Sequence, residues 1–332
     1  MWLKKAVSIN ASRFFYLCLS GYTVAIVSQV NVIAMNNFQL EALLNAELKP
    51  EQVKDYSPNG LQVQGRDNVQ TIVTGVTACQ DLIDKAIEYQ ADAILVHHGY
   101  FWRGEPQSIR GMKYQRIKML IENGINLYGY HLPLDIHPTL GNNAQLAKRL
   151  GIEIIGGLEP NNPVSIPVYG KLSTPMTLSQ FEQQVATILS RPPLVIDGGQ
   201  TTRIETVGLC TGGAQDLIDL AAAQGMDAYL SGEISERTTF SAREQGVHYF
   251  AAGHHATERY GVKALGEWLA DHHGLTTHFV DIDNPRIKKA ILHKKLFRIK
   301  KAAHQGGFVS SIVKVSRLIA LIHRREFTLG IA

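Results

Sequence analysis

The chain has 332 residues, 45% apolar and 19% charged, the composition of a globular protein long enough to build its core without metal or disulfide staples. Its net charge of +4 hides an asymmetry: residues 286–332 hold twelve Lys and Arg against Glu326 alone, leaving 21 bases and 28 acids in residues 1–285. A mildly acidic body argues against nucleic-acid binding through the core, and three cysteines without a CxxC pair (Cys18, Cys79, Cys210) argue against a thiolate zinc knot. They read as reduced thiols, which places the protein in the cytoplasm.

Residues 1–34 carry Lys4, Lys5 and Arg13 and no acid. Their apolar run, Phe14 to Ala34, is broken by Ser20, Tyr22, Thr23, Ser28, Gln29 and Asn31. It is too polar for a membrane-spanning helix and lacks the unbroken core of a signal peptide, so no integral membrane segment is expected. The segment reads as an upstream extension or weak targeting leader outside the fold, with the working protein starting near Met35.

From there the elements come in two similar sets. An amphipathic helix, Phe38 to Leu48, precedes a β-rich run, Thr71 to Thr77. A helix with Leu82, Ile83, Ala86 and Ile87 on one face follows, then an apolar strand, Ala93 to Val96, and another, Ile125 to Tyr130. The second set has a helix from Leu178 to Leu189, N-capped by Thr177. It continues with a strand from Thr206 to Cys210, a helix with Leu217, Ile218, Ala221 and Ala222, and strands from Ala228 to Leu230 and His248 to Ala252. Gln80-Asp-Leu-Ile-Asp84 recurs as Gln215-Asp-Leu-Ile-Asp219, and Asp92-Ala93 as Asp227-Ala228 at the same offset. A match spanning several elements indicates internal duplication of a right-handed βαβ unit. The expected fold is therefore α/β: two pseudo-symmetric lobes, 35–150 and 151–285, joined where Pro160, Pro163 and Pro167 punctuate the chain. The site is expected in the cleft between them, outside the carboxyl ends of the strands. The basic tail, 286–332, ends in an apolar stretch from Phe308 to Ile322. It reads as an appended segment outside the fold, or as one that contacts RNA or an anionic membrane surface.

Three clusters carry chemistry. His97 and His98 end an apolar strand before Gly99, and can face one site only if the chain leaves regular strand geometry there; otherwise they belong to an aromatic loop with Trp102. Asp135 follows His131 after another strand. Pro133 argues against a helix across it, leaving a loop aspartate that either binds a ligand or caps the helix opening at Asn142. His254 and Glu258 lie four apart on the first turn of a helix, as a metal-binding pair or as a helix start with a dipole-favoured acid. Together, His97, His98, Asp135, His254 and Glu258 supply nitrogen and oxygen ligands suited to two divalent ions of Zn, Mn, Fe, Co or Ni, with Glu258 able to bridge.

From about Met35 to Pro285 the sequence resembles the GTP cyclohydrolase I type 2 homologues, a Nif-three-like family of dinuclear-metal proteins, in its short bacterial YbgI-type form. The resemblance rests on Asp55-Tyr-Ser-Pro-Asn-Gly-Leu-Gln62, His97-His-Gly-Tyr-Phe-Trp102, Tyr130-His-Leu-Pro-Leu-Asp135 and Gly253-His-His-Ala-Thr-Glu258. It implies the same five ligands, a duplicated α/β lobe and a toroidal homohexamer. The family name does not fix an activity.

Two functions follow as expectations. In the first, the protein is a metal-dependent hydrolase acting on a nucleotide-like or phosphoester small molecule. His131, His255 or Glu233 (at the position His98 holds in the other repeat) would move protons, and Tyr100, Asn142 or Arg259 would bind substrate. In the second, it is a non-catalytic metal-binding scaffold or regulator working through protein or nucleic-acid partners.

Overall fold

The computed structural model describes residues 34–199 and 201–284, together with two strands, Phe14–Leu19 and Tyr22–Val27, that pair antiparallel with each other. The chain divides into two compact units after Asp283. The basic tail lies outside the described residues.

Two sheets organise the body. The first runs Thr276–Phe279, Thr71–Thr77, Ala93–His98, Asn126–Gly129, Gly60–Val63, with only the last strand antiparallel to its neighbour. The second runs Leu194–Ile196, His248–Ala251, Ala228–Ser231, Ile204–Cys210, Val168–Met176, Ile152–Gly157, and its three central strands are parallel. Parallel strands need crossovers, which helices supply on one face of each sheet, while further helices cover the other face. In the first sheet, Ile72 and Leu95 pack with Leu40, Leu44, Val262 and Leu265, while Val73 and Ile94 pack with Leu82, Ile83 and Leu120 on the opposite face. Burial on both sides is why these strands read as unbroken apolar runs.

One hydrogen-bonded motif recurs at the offset the sequence suggests. Asp92 Oδ2 accepts from the backbone N–H groups of Gln70 and Thr71 at 2.9 Å, and Asp227 Oδ2 accepts from those of Glu205 and Thr206 at 2.9 and 2.8 Å. Each aspartate thus ties the start of its own strand to the start of the neighbouring one.

The expected helices are present. Asn37–Leu48 begins at a reciprocal cap, in which Asn36 accepts from Phe38 N and the Gln39 side chain accepts from Asn36 N. Thr177 and Gln180 cap Leu178–Leu189 in the same way. Two local expectations are corrected. Pro133 does not prevent a helix, because it stands in the first turn of Leu132–Ile136, where its missing N–H would have no intrahelical acceptor. The strand also continues through His98, which pairs with Thr77.

The last two elements link the halves. The helix His254–His273 leaves the second sheet, but Val262, Leu265 and Leu269 enter the core of the first. The strand Thr276–Phe279 then pairs parallel with Thr71–Thr77.

Candidate metal centre

The carboxyl ends of the parallel strands in both sheets deliver the polar residues of one site. Ala93–His98 ends in His97 and His98, and after Asn126–Gly129 come His131 and, on the short helix Leu132–Ile136, Asp135. Thr211 and Gly212 follow Ile204–Cys210, Glu233 follows Ala228–Ser231, and His254 opens the helix after His248–Ala251. His97 and His98 both reach the centre without a break in the strand. The site lies beyond the strand end rather than over one face, so rings leaving opposite faces converge there, with centroids 4.5 Å apart.

Glu258 stands in the middle, 2% exposed. Its Oε1 lies 3.5 Å from His97 Nε2, and its Oε2 lies 3.3 Å from His98 Nε2 and 3.2 Å from His254 Nε2. Asp135 Oδ1 is likewise 3.5 Å from His97 Nε2. Three groups of side chains are close enough to hold a cation: His97, Asp135 and Glu258; His98, His254 and Glu258; and His97, His98 and His131, with ligand atoms within 4.8 Å of one another in each. All five candidate ligands read from the sequence are therefore brought together.

The other nitrogen of each imidazole is held from outside. His97 Nδ1 lies 3.0 Å from Tyr130 O, His98 Nδ1 3.2 Å from Thr77 Oγ1, His254 Nδ1 2.9 Å from Glu233 Oε1, and His131 Nδ1 2.6 Å from Asp55 Oδ1. Such partners fix ring orientation and leave Nε2 facing inward. Asp135 is held by Asn142 Nδ2 at 2.8 Å and by Thr211 Oγ1 at 3.3 Å, and Asn142 in turn accepts from Gly261 N.

The residues present fit a cation. Buried His97 Nε2 and Glu258 Oε2 make no hydrogen bond despite their ion-pair distances, an expensive arrangement unless a positive charge lies between them. Burial alone would drive His97 down, but the Asp135 and Glu258 charges lift it to about 9. Burial likewise opposes His254, yet its close pairing with the Glu258 carboxylate, and then with Glu233, raises it to about 9. Burial pushes His98 down to about 3, with the neighbouring imidazoles adding to the effect. Glu258 stays well below the usual carboxylate range despite burial, because His98, His97 and His254 surround it, whereas burial and the Glu258 charge push Asp135 up. A buried donor set of imidazoles and carboxylates without thiolate matches borderline divalent metals.

The remaining expected residues make the following contacts. Glu233 holds His254, and Asn142, fully buried, holds Asp135. Tyr100 is 6% exposed and donates from its hydroxyl to Ala78 O. His255 Nε2 lies 2.8 Å from Asp281 Oδ1, and Arg259 donates to Asp281 Oδ2 and Leu189 O. The two contacts with Asp281 tie the helix to the chain beyond the last strand. Sequence reasoning did not single out the roles of Asp55, Asn59, Thr77, Thr211 or Gly212. The Asp55–Gln62 motif and the Gly212-Gly213 pair after a strand were the available signals.

The model of the Duf34/NIF3 family (NGG1p interacting factor 3) matches residues 35–285. The chain belongs to the Duf34/NIF3 family. Relatives named GTP cyclohydrolase 1 type 2 homolog are 63% identical in Vibrio cholerae and 52% identical in Escherichia coli, each aligned over 76% of this chain and all of its own length. Among solved structures, one described as protein ybgI, of unknown function, shares 51% identity at a TM-score of 0.73 and covers 76% of this chain and all of its own. A Thermus thermophilus protein shares 33% identity at a TM-score of 0.68 over 75% of this chain and 99% of its own. This Duf34/NIF3 chain thus has a known α/β fold. Among those residues, no helix is long and apolar enough to cross a membrane.

Proposed function

We propose that the chain holds two divalent ions, one through His97, Asp135 and Glu258 and the other through His98, His254 and Glu258, and works as a metal-dependent hydrolase. The observation that carries this reading is the shared Glu258, a buried carboxylate whose two oxygens face two different sets of ligands. Bound ions of this kind supply a Lewis acid and a water acidified toward neutral pH. The chain supplies the geometry: Glu233 orients His254, Asn142 and Thr211 orient Asp135, and burial of Glu258 and His97 keeps bulk water from the inner position. His98 and His254, with side chains 17% and 33% exposed, mark the side from which a small molecule enters.

The substrate class that suits this centre is a nucleotide-like or phosphoester compound, in keeping with the relatives' name, and the working assembly is a homohexamer. The test is turnover by the full chain, loaded in turn with Zn, Mn, Fe, Co or Ni, against a panel of nucleotides and phosphodiesters. Turnover lost in Glu258→Gln supports the hydrolase. Stoichiometric metal without turnover across the panel favours the scaffold or regulatory reading instead.

A further inference from the structure

His131 has an unusual position. It stands with His97 and His98 in the third group of side chains, but the other two groups already use the single inward nitrogen of each of those histidines. No ion held by the first two groups leaves His131 a set of its own. The ring is nonetheless fixed as firmly as the candidate ligands. Trp102 meets it edge-on at 4.8 Å, the His97 ring lies 5.0 Å away, and its side chain is 14% exposed. Its backbone N–H donates to Asn59 Oδ1, while Asn59 Nδ2 donates to Asp55 Oδ2. Asp55 closes the circuit, with Oδ1 2.6 Å from His131 Nδ1 and Oδ2 accepting from Leu132 N at 2.9 Å.

We propose that Asp55 is a positioning residue that decides which nitrogen of His131 faces the centre. An ionised carboxylate can only accept, so the neutral ring must carry its proton on Nδ1 and turn a bare Nε2 toward the metal cleft. There Nε2 accepts a hydrogen bond from a protic ligand, either a water or a substrate O–H or N–H group, on the same accessible side as His98. The inference rests on the metal-centre reading for the identity of that ligand, but the tautomer itself does not.

Asp55→Asn provides a test, because the amide is isosteric and its two ends meet unequal numbers of donors. The Oδ2 position receives two donors, Leu132 N and Asn59 Nδ2, the latter locked by His131 N, whereas Oδ1 receives the Tyr56 N–H alone, so the carbonyl oxygen is expected at Oδ2. The NH2 group then points at His131 Nδ1, and the ring must move its proton to Nε2. Histidine tautomers are read by two-bond 1H–15N correlation on the 15N-histidine-labelled full chain, metal-free and zinc-loaded, at a pH where the ring is neutral. His131→Gln identifies the signal. The wild type is expected to show Nδ1–H with unprotonated Nε2, and Asp55→Asn the reverse, with metal content equal to wild type by elemental analysis. A proton on Nε2 in the wild type overturns the proposal without any variant, as does an unchanged tautomer in Asp55→Asn. Loss of one ion in His131→Gln makes His131 a ligand and overturns it too. Unchanged metal content in Glu258→Ala instead sinks the metal-centre reading, leaving the tautomer result standing.

Discussion

Gly212 stands so close to Glu258 that a Cβ on it would lie 2.0 Å from Oε1, and 3.2 Å from His254 Nε2. Its φ of +70° also lies in the left-handed region. The glycine is what lets the loop after Ile204–Cys210 close over the carboxylate. Gly212→Ala is expected to displace Glu258 and lower bound metal. The left-handed backbone adds about 1–2 kcal/mol of destabilisation. Elemental analysis and a denaturant melt check this, and wild-type values in both contradict it.

Ligand removal should be graded. His98→Ala takes one nitrogen from the more exposed position and should lower bound metal toward one per chain. Glu258→Ala removes the residue shared by both positions and should lower it toward zero. Both variants should keep the far-ultraviolet circular dichroism of the wild type, because strand ends carry the site and the cores lie elsewhere.

Chelation should destabilise the fold without unfolding it at room temperature. A ligand present at a hundred times its dissociation constant stabilises by about 2.7 kcal/mol. For a domain of this size, that corresponds to a midpoint roughly 5–10 °C lower after chelation. A thermal melt with and without a chelator, followed by readdition of zinc, measures it. An unshifted midpoint argues that the site binds no metal in the folded protein.

Asp55 gives a pH signature. Burial alone would raise its pKa, but the hydrogen bond and charge of His131, with Asn59, bring it down to about 2. A depressed carboxylate contributes stability that is fully present above its unfolded value near 4 and is lost as pH falls through about 2. The contribution is about 1–2 kcal/mol after allowance for solvent screening. The stability difference between wild type and Asp55→Asn should therefore be largest above pH 4 and shrink toward pH 2 in urea titrations of metal-free protein. A constant difference would show that the ionised form is not favoured in the fold.

Arg259 and His255 are expected to act on stability rather than on metal. Both hold Asp281, whose carboxyl stays below its ordinary range chiefly through the His255 hydrogen bond. Arg259→Ala should cost about 1–3 kcal/mol through lost charge-assisted hydrogen bonds, with metal content unchanged. A drop in bound metal equal to that of His98→Ala would return Arg259 to the centre.

The amino-acid order alone determined the α/β class, the helices at Asn37–Leu48 and Leu178–Leu189, the Thr177 cap of the second, and the candidate ligands. Those features are set by periodicity, by short-range hydrogen bonds and by residue types that few other roles require. The Asp92 and Asp227 pairings also follow a repeat visible in the chain. Tertiary structure decided what depends on contacts distant in sequence. It returned Thr276–Phe279 to the first sheet, placed Asp55 on a histidine 76 residues away, and brought Gly212 against Glu258. It also set His97 and His98 at the end of an unbroken strand, where opposite faces converge. Side-chain alternation along a strand is a local rule, but the position of a site beyond the strand end depends on how two sheets and one shared helix pack together.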